Sequence, residues 1–500
     1  MSDLAAFGRL VAAGWVLVRA DALAPREIAP LLPPSAGLAA RILRLFAGPE
    51  ARQGRPGERL ATALEKLGPA AIKLGQLLST RADIFGEAFT TDLARLKDNL
   101  APFPTEIAKV EVAKGLAKPA EALFMRFDEP VAAASIAQAH PAILHDGRKV
   151  AVKVLRPDIE LRVARDSEVL RLAARLVEAV APPARRLEPR ALVETVAESL
   201  RLELDLRMEA GGASELREVM ARDGYIVAPA VVWEGVGKRV LTLEWANGMP
   251  LSDAAALTQP GLDRPLLATK LIRAFLAQAL DHGVFHADLH EGNLFAAAPA
   301  ELTAVDFGII GRIGPGERRY LAEILFGFIT RDYHRVAQVH FDAGYVPAHH
   351  SVAAFAQALR SVGEPTFRRS ADDVSMGRLL TQLFEITALF DMRLRPELVL
   401  LQKTMVAVEG VARRIDPSHD IWAAADPVVR RYITRELSPI ARAKDLAQEV
   451  LSALRTIVRR LEEAPQPPVV VRPSPVSRLL WLLIGATLAF GAVVAWTVFS

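Results

Sequence analysis

The sequence predicts an α+β fold of two lobes, with extra N-terminal helices and a C-terminal transmembrane helix. Short β-branched and alternating runs are concentrated between Phe124 and Leu155, which is typical of strands. Helical periodicity dominates beyond Pro250. The last observation is an apolar run without a single charge over residues 479–499. We therefore expect a small sheet-containing lobe, a larger helical lobe and a membrane anchor.

Changes of texture along the chain predict five regions. They are an N-terminal helical extension (1–120), an N-lobe with inserted helices (121–250), a helical C-lobe (251–462), a Pro-rich tether (463–478) and a transmembrane helix (479–499).

Within the N-lobe, turn residues and prolines mark the expected boundaries. Asp146-Gly147 is a hairpin signal between two strand-like runs. Two amphipathic helices are expected over 158–180 and 188–220, separated by two prolines, before strand-like sequence returns near Tyr225. A small sheet with helices inserted between its strands follows from this pattern.

The C-terminal apolar run is long enough to cross a bilayer. Its 21 residues, at about 1.5 Å per residue, span a hydrocarbon core of about 30 Å. Trp481 and Trp496 lie at interfacial positions, and apolar residues cover every face, which argues against a buried terminal helix. The upstream cations favour the cytoplasmic side; they are Arg455, Arg459 and Arg460. We expect an inner (cytoplasmic) membrane protein with a single span and its bulk facing the cytoplasm.

The N-terminus carries a shorter apolar stretch. LVAAGWVLV is nine residues long and lies between Arg9 and Arg19. A secretory signal would need a small-residue cleavage site after this stretch, where Arg19 follows directly. An amphipathic or packed helix is the prediction here.

Composition excludes several classes of protein. Hydrophobic residues make up 51% of the 500 residues, so a largely disordered chain is excluded. The 61 basic and 58 acidic side chains nearly cancel, and no Lys/Arg block with interleaved aromatics is present. We expect no nucleic-acid partner. Because the chain has no cysteine, thiolate metal sites, disulfides and Cys nucleophiles are excluded.

Two acidic motifs and a lysine carry the predicted chemistry. HADLHEGN places Asn293 five residues after Asp288, the spacing of the protein-kinase catalytic loop. Asp288 would orient or deprotonate a nucleophile, and Asn293 would bind a metal ion. Asp306 begins a DFG tripeptide behind a strand-like run, where a carboxylate can hold Mg²⁺ against phosphate oxygens. Upstream, VAVK ends in Lys153, a point charge for the α/β-phosphates.

Each of these motifs, taken singly, also turns up by chance. Together, in the order found in kinases, they predict an ATP site with Mg²⁺. The alternative is a hydrolytic metal triad formed by His286, Asp288 and His290, since imidazole and carboxylate suit zinc or manganese. That alternative leaves Lys153 and Asp306 without a role. A structural role near the loop is the better prediction for His286.

A strand-like run supplies the expected adenine contacts. VLTLEWANG leads through the segment whose backbone would meet the base, namely Glu244, Trp245 and Ala246. An ordinary edge strand is the alternative for these individual contacts.

Other motifs depart from ordinary protein kinases, and with them the chain resembles the UbiB/aarF/ABC-one family of atypical kinases over about residues 60–415. LGPAAIKLGQLLSTRADI is similar to the family's K-x-G-Q helix, with Lys73 and Gln76 on one helical face. The resemblance implies a role at the active site for both residues.

A second motif replaces the glycine-rich loop of ordinary kinases with alanines. The expected nucleotide-binding loop comprises Ala132, Ala133, Ala134, Ser135, Ile136, Ala137 and Gln138. It resembles the family's alanine-rich loop. Each Cβ restricts φ and keeps the backbone farther from phosphate than glycine would. Ordinary phosphotransfer to protein is therefore not expected.

The third motif is similar to the family's E-x-D sequence and the glutamate that follows. Glu209 is the predicted ion-pair partner of Lys153, while Glu203 and Asp205 are predicted to contact the Lys73 helix. At about 100° per residue, Asp205 and Glu209 share a helical face and Glu203 lies on another, so one face can meet Lys153 and another the Lys73 helix. Exposed salt bridges of all three are the alternative.

The family resemblance implies Mg-ATP chemistry linked to membrane lipid, in ubiquinone biosynthesis or isoprenoid-lipid homeostasis. It implies an isoprenoid quinone precursor or membrane lipid, and ubiquinone-biosynthesis enzymes, as partners. One hypothesis is an active ATPase or small-molecule kinase. A second is a nucleotide-gated lipid-binding scaffold with little phosphotransfer, and a third is a membrane tether with incidental motif matches.

Overall fold

The computed structural model describes most of the chain up to residue 436. The described residues are 3–23, 42–52, 54–79, 85–93, 96, 101–180, 185, 188–368, 386, 389–392 and 396–436. One compact unit covers 1–433, and nearly all of the second, 434–500, falls outside the described residues. None of the described helices combines the length and apolarity that crossing a membrane requires. The predicted tether and span at 463–499 lie outside the described residues and stay predictions.

Fourteen α-helices are formed by the described residues. They are α1 (Asp3–Arg19), α2 (Pro56–Leu67), α3 (Pro69–Leu78), α4 (Glu87–Leu93), α5 (Thr105–Leu116), α6 (Ile159–Val180), α7 (Pro189–Glu203), α8 (Leu206–Asp223), α9 (Arg264–Ala277), α10 (Pro315–Thr330), α11 (Tyr333–Asp342), α12 (Val352–Arg368), α13 (Pro396–Ile415) and α14 (Ile421–Glu436).

Ten strands in the described residues complete the fold. They are β1 (Phe124–Phe127), β2 (Ala132–Ala133), β3 (Ala137–Leu144), β4 (Lys149–Leu155), β5 (Val240–Glu244), β6 (Met249–Pro250), β7 (Val284–His286), β8 (Leu294–Ala297), β9 (Glu301–Ala304) and β10 (Ile310–Arg312). The main sheet is antiparallel with the order β1-β3-β4-β5, and β2 pairs with β3. Two small sheets, β7-β10 and β6-β8-β9, hold the catalytic-loop region.

The expected hairpin is present between β3 and β4. Gly147 has a φ of +88°, the left-handed conformation that a tight turn requires and that glycine adopts without strain. The Arg148 amide donates to Asp146 Oδ1 at 3.0 Å, which closes the turn. The sequence prediction of a β-rich N-lobe is confirmed at this point.

The helix expected over 188–220 is interrupted. Its first part, α7, ends at Glu203, and a new helix, α8, begins at Leu206. Asp205 caps α8, because its carboxylate accepts a hydrogen bond from the Arg207 amide at 3.2 Å. The break changes the direction of the chain between the E-x-D acids and Glu209.

A continuous apolar core connects these elements. Buried side chains from α3, β4, α8 and α9 belong to one cluster with others from β7 and α13. The N-terminal helix α1 packs on α6 and α2, as expected for a packed amphipathic helix. Its Phe7, Val11 and Trp15 remain exposed on the opposite side.

Candidate active site

Strand alternation delivers Lys153 to the site. Val152 and Val154 are fully buried on one face of β4, so Lys153 lies on the other face. The strand is central in the sheet and pairs on both sides, with Lys153 opposite Ala139 and Leu241. A lysine in this position is held by two neighbouring strands, and its ammonium reaches a fixed point.

At that point Lys153 meets two carboxylates. Its Nζ lies 2.9 Å from each carboxylate oxygen of Glu209 on α8, and 3.3 Å from Oδ1 of Asp306. Glu209 is buried, and Asp306 is about half-exposed. The predicted Lys153–Glu209 ion pair is confirmed, and Asp306 of the DFG tripeptide joins it.

The charges of this cluster shift its pKa values in different directions. Burial raises the pKa of Glu209 to about 7, an effect that the Lys153 charge opposes and the Asp306 charge reinforces. Burial would lower the pKa of Lys153, but the charges of Asp306 and Glu209 outweigh it and raise that pKa. The Lys153 charge holds the pKa of Asp306 below its usual range. One ammonium cannot neutralise two carboxylates, so the more buried acid, Glu209, is the one that takes up a proton.

Asp306 occupies an uncommon backbone conformation. Its φ is +62°, in the left-handed region that non-glycine residues rarely adopt. The Gly308 amide lies 3.4 Å from Asp306 Oδ1, and the preceding Val305 amide donates to the Asn293 carbonyl at 2.9 Å. These contacts hold the carboxylate in place beside Lys153.

His286 links the two acidic motifs. Its Nε2 is 3.1 Å from the Val305 carbonyl, so Nε2 carries the proton and donates. Its Nδ1 then accepts the Asp288 amide at 3.1 Å. Burial lowers the pKa of His286, which keeps the ring neutral and suited to this pair of contacts. Because both ring nitrogens are used internally, the metal-triad alternative is not supported, and the structural role is confirmed.

Asn293 and Asp288 are held together as the catalytic-loop motif predicts. The Asn293 side-chain amide donates to the Asp288 carbonyl at 3.0 Å, so its own oxygen stays available as a metal ligand. Asp288 is partly exposed, and His290 Nε2 lies 3.7 Å from its Oδ2. An amide oxygen and the Asp306 carboxylate form a donor set of the kind that Mg²⁺ accepts.

Two supporting residues were not found from the sequence. The buried Gln278 accepts the His286 amide at 3.0 Å, and the buried Thr404 on α13 places its hydroxyl 3.0 Å from the Ala287 carbonyl. No local motif marks either residue, since Thr404 lies 117 positions along the chain from its partner. The available signal for Gln278 and Thr404 was a polar residue within an otherwise apolar helical stretch, which indicates a buried hydrogen-bond partner.

The alanine-rich loop forms the tip of a short hairpin. Ala132 and Ala133 pair with β3, and the Ala134 amide donates to the Ala137 carbonyl at 2.8 Å. The Arg156 Nε donates to the Ala134 carbonyl at 2.9 Å, and this hydrogen bond holds the loop in place. Ser135 and Ile136 are buried within this hairpin.

Gln138 is a correction to the predicted nucleotide-binding loop. Its side chain is buried and exchanges two hydrogen bonds with the backbone of Phe103, at 2.9 and 3.0 Å. It also lies 2.7 Å from His140 Nε2. Because these contacts engage both ends of the amide, the Gln138 side chain ties the segment before α5 to the sheet and is not available to a nucleotide.

The expected adenine-binding segment follows β5 directly. The Glu244 amide donates to Ala230 and the Trp245 amide donates to Lys149, at 2.8 and 3.1 Å. The Lys149 ammonium lies 3.8 Å from the centroid of the Trp245 ring, a cation–π contact. Within the described residues, the Ala246 amide has no backbone acceptor. Ala246 therefore retains a donor of the kind that a base edge requires.

The K-x-G-Q helix contacts the E-x-D motif through one ion pair. Lys73 on α3 pairs with Glu203 at the end of α7, and Ser199 also donates to Glu203 at 3.2 Å. Both side chains of the ion pair are about one-fifth exposed. Gln76 is half-buried, and its side chain makes no hydrogen bond with another described residue.

Asp205 forms no ion pair or hydrogen bond with any residue of the fully described Lys73 helix, α3, so that prediction is wrong. Its carboxylate pairs with Arg207 at 2.7 Å and caps α8. The cause is the helix break at Leu204: Asp205 lies beyond the end of α7, whose last residue Glu203 pairs with Lys73, and it caps α8 instead. Of the two E-x-D acids, Glu203 alone reaches the extension.

Lys153 lies on a five-stranded antiparallel sheet and contacts both a helix glutamate and the DFG aspartate. This arrangement defines a kinase-like protein that uses a nucleotide. The chain matches the ABC1 atypical kinase-like domain over residues 95–340 and the UbiB helical domain over residues 359–420. It belongs to the UbiB family of atypical kinases.

Similar proteins cover most of the chain. Proteins named "Probable protein kinase UbiB" include one from Xylella fastidiosa (strain M12), 40% identical over 78% of this chain and 72% of the relative. Another, from Pseudomonas aeruginosa (strain UCBPP-PA14), is 39% identical over 87% of this chain and 84% of the relative. The solved structure of the Rv3197–erythromycin complex from Mycobacterium tuberculosis is 23% identical and covers 79% of this chain and 98% of that one, with a TM-score of 0.51. This last likeness shows the fold.

Proposed function

We propose that this chain is a membrane-anchored atypical kinase or ATPase that binds Mg-ATP. It hydrolyses the nucleotide or transfers its phosphate to a small molecule, and it supports ubiquinone biosynthesis or isoprenoid-lipid homeostasis. The observation that carries the proposal is the position of Lys153, 2.9 Å from Glu209 and 3.3 Å from Asp306. A lysine fixed in this way is a point charge for nucleotide phosphates.

The surrounding residues fit the roles expected of such a site. When bound, Mg²⁺ would offset the negative charge of the nucleotide phosphates. Asp306 and Asn293 offer the oxygens that would hold it. Asp288 lies beside Asn293 with a partly exposed carboxylate, so it can orient an attacking hydroxyl or water. The alanines at the loop tip keep phosphate farther from the backbone than glycines would, which favours a non-protein acceptor or water.

Mg-dependent ATP turnover by the full-length protein, measured with and without lipid vesicles, tests the proposal. An Asp306→Asn variant should lose at least about 100-fold in turnover, since it removes a charge that acts directly on the metal and phosphates. Asp342→Asn is the matched control, because Asp342 is an exposed acid at the end of α11. Equal turnover in wild type and Asp306→Asn would contradict an enzymatic role.

Membrane anchoring rests on the predicted span at 479–499 and is tested by deletion. Removal of residues 463–500 should transfer the protein from the membrane fraction to the soluble fraction. Stabilisation of the truncated chain by nucleotide should persist, because the site residues and the supporting Thr404 all precede residue 463. A truncated chain that stays with the membrane would count against the terminal anchor.

The quinone role is supported by the names of the relatives and by the family resemblance. Quantification of quinone and its precursors in cells with and without this protein tests it. We expect loss of quinone and accumulation of an isoprenoid precursor, restored by wild type but not by Asp306→Asn. Unchanged quinone levels with altered isoprenoid lipids would point to the broader lipid role.

A nucleotide-gated lipid-binding scaffold is the second candidate. Two features favour it: the alanine-rich loop, and the Lys73–Glu203 ion pair that joins the N-terminal extension to the helices beside Glu209. If nucleotide changes the position of α8, hydrogen exchange of α3 should change as well. Saturating nucleotide that leaves exchange of residues 69–78 unaltered would exclude this version.

A further inference from the structure

Two histidines and one aspartate meet outside the nucleotide site. His349 and His350 lie just before α12, and Asp391 lies in the described segment 389–392. The Nε2 of His350 is 3.1 Å, and that of His349 is 3.7 Å, from the same Oδ2 of Asp391. One donor atom from each of the three residues lies within 4.8 Å of the others. Two imidazoles therefore converge on one carboxylate oxygen.

The backbone that carries these side chains is anchored in the core. His350 is one-fifth exposed, and its ring centroid lies 5.3 Å from that of Phe390. Phe390 is buried and packs edge-on against the fully buried Phe355 of α12, at 4.9 Å between centroids. Of the three donors, His350 is thus preset by packing, whereas the side chains of His349 and Asp391, 67% and 66% exposed, are ordered by the ligand.

The charge of the cluster suits a cation. Within the described part of the chain, Asp391 has no Lys or Arg partner, and the two imidazoles are its sole ion-pair contacts. Two imidazole nitrogens and one carboxylate oxygen are the donor set of open Zn²⁺ sites, in which water completes a four-coordinate shell. An ordinary surface hydrogen-bond cluster would make the same two contacts without a metal. Metal titration distinguishes such a cluster from a Zn²⁺ site.

We propose that His349, His350 and Asp391 form a Zn²⁺ site that joins the start of α12 to the 389–392 segment. The His350–Asp391 contact closes a stretch of 41 residues, and an ion held by both ends stabilises the closed arrangement by binding the folded state alone. The site shares no residue with the Lys153 cluster. Its loss therefore leaves the ligands of the nucleotide site in place.

Zn²⁺ titration by calorimetry, on the full-length, untagged and metal-stripped protein, tests this site. Saturating Mg²⁺ is kept present so that it competes with Zn²⁺ for the acids of the nucleotide site. We expect one equivalent bound in wild type, together with a rise in the thermal unfolding midpoint. His350→Ala and Asp391→Asn should each weaken binding by at least about 100-fold, because loss of even an outer-shell partner costs 10- to 100-fold.

His334→Ala is the matched control, since His334 is an exposed histidine of α11 outside the cluster. It should bind Zn²⁺ like wild type. Co²⁺ gives a second readout, because four-coordinate Co²⁺ absorbs visible light strongly, and this absorption should be absent from His350→Ala. Nucleotide-induced stabilisation of each variant reports that it is folded. Equal Zn²⁺ binding by wild type and both variants, or no saturable binding by wild type, overturns the proposal.

Discussion

Burial and the charge of Lys153 act in opposite directions on the pKa of Glu209. Its carboxylate contacts the Lys153 ammonium through both oxygens, yet burial and the neighbouring Asp306 raise its pKa to about 7. The Lys153–Glu209 pair is therefore fully ionised only above that pH.

This property predicts a pH-dependent stability. The pKa of Glu209 is higher in the folded chain than in an unfolded one, so the folded state retains the proton at pH values where the unfolded state has lost it. Stability from this group is full at acidic pH and is lost as the pH rises through about 7. Gln at position 209 does not titrate, so Glu209→Gln should show a smaller fall in thermal midpoint between about pH 5 and about pH 8 than wild type.

Glu218→Gln controls for the change of charge in this experiment. Glu218 is exposed on the same helix, α8, and should leave the pH dependence of wild type intact. A Glu209→Gln profile parallel to that of wild type would show that Glu209 does not hold its proton near neutral pH.

At the scale of elements, α8 owes its position to a glycine. Gly212 is buried one helical turn from Glu209, where an added Cβ would collide with Ile310 and lie 3.3 Å from the Phe307 carbonyl. The absence of a side chain thus lets α8 approach the DFG segment closely. Its neighbour Gly211 is exposed, and a Cβ there meets nothing within 4 Å.

The two adjacent glycines form a matched pair for mutation. Gly212→Ala should destabilise the protein by about 1–3 kcal/mol through overpacking and should lower ATP turnover, because it moves the helix that carries Glu209. Gly211→Ala should be neutral or stabilise by up to about 1 kcal/mol, since alanine favours the helix more than glycine does. Urea denaturation and turnover assays measure both effects. Similar behaviour of the two variants would show that the packing of α8 on Ile310 does not control the site.

At the scale of the whole molecule, the N-terminal extension is tied to the kinase-like core by the Lys73–Glu203 ion pair. Lys73 lies on α3, which packs against α7. Glu203 is the last residue of α7 and lies three residues before the start of α8. Because the pair is largely shielded from water, it should contribute more than an exposed pair. The extension can thereby influence the helix that positions Glu209.

A double-mutant cycle measures this contribution. Lys73→Ala and Glu203→Ala should show a coupling free energy of about 1 kcal/mol or more in apparent unfolding stability. Arg171–Glu194 is the control pair, with side chains 43% and 60% exposed, and should couple by less than about 0.5 kcal/mol. Additive effects of the Lys73 and Glu203 substitutions would mean that the ion pair does not hold the extension in place.

The sequence by itself predicted the residues of the candidate site. Lys153, Asp288, Asn293 and Asp306 were identified from short-range spacing, because a catalytic loop and a DFG turn each need their residues at fixed local offsets. The Lys153–Glu209 partnership, between residues 56 positions apart, came from the family resemblance. The family itself followed from local motifs, and the β-branched run around 124–155 predicted the sheet. Such features depend on neighbours in the chain, so sequence reading recovers them.

Only the tertiary structure decided which side chains support that chemistry. Asp205 turned to Arg207 because the helix breaks at Leu204, and Gln138 is engaged by Phe103, 35 positions away. Thr404 reaches the catalytic loop from a helix 117 positions distant. A buried polar group takes whichever partner folding brings within hydrogen-bond distance, and nothing in the spacing of a linear sequence specifies that partner.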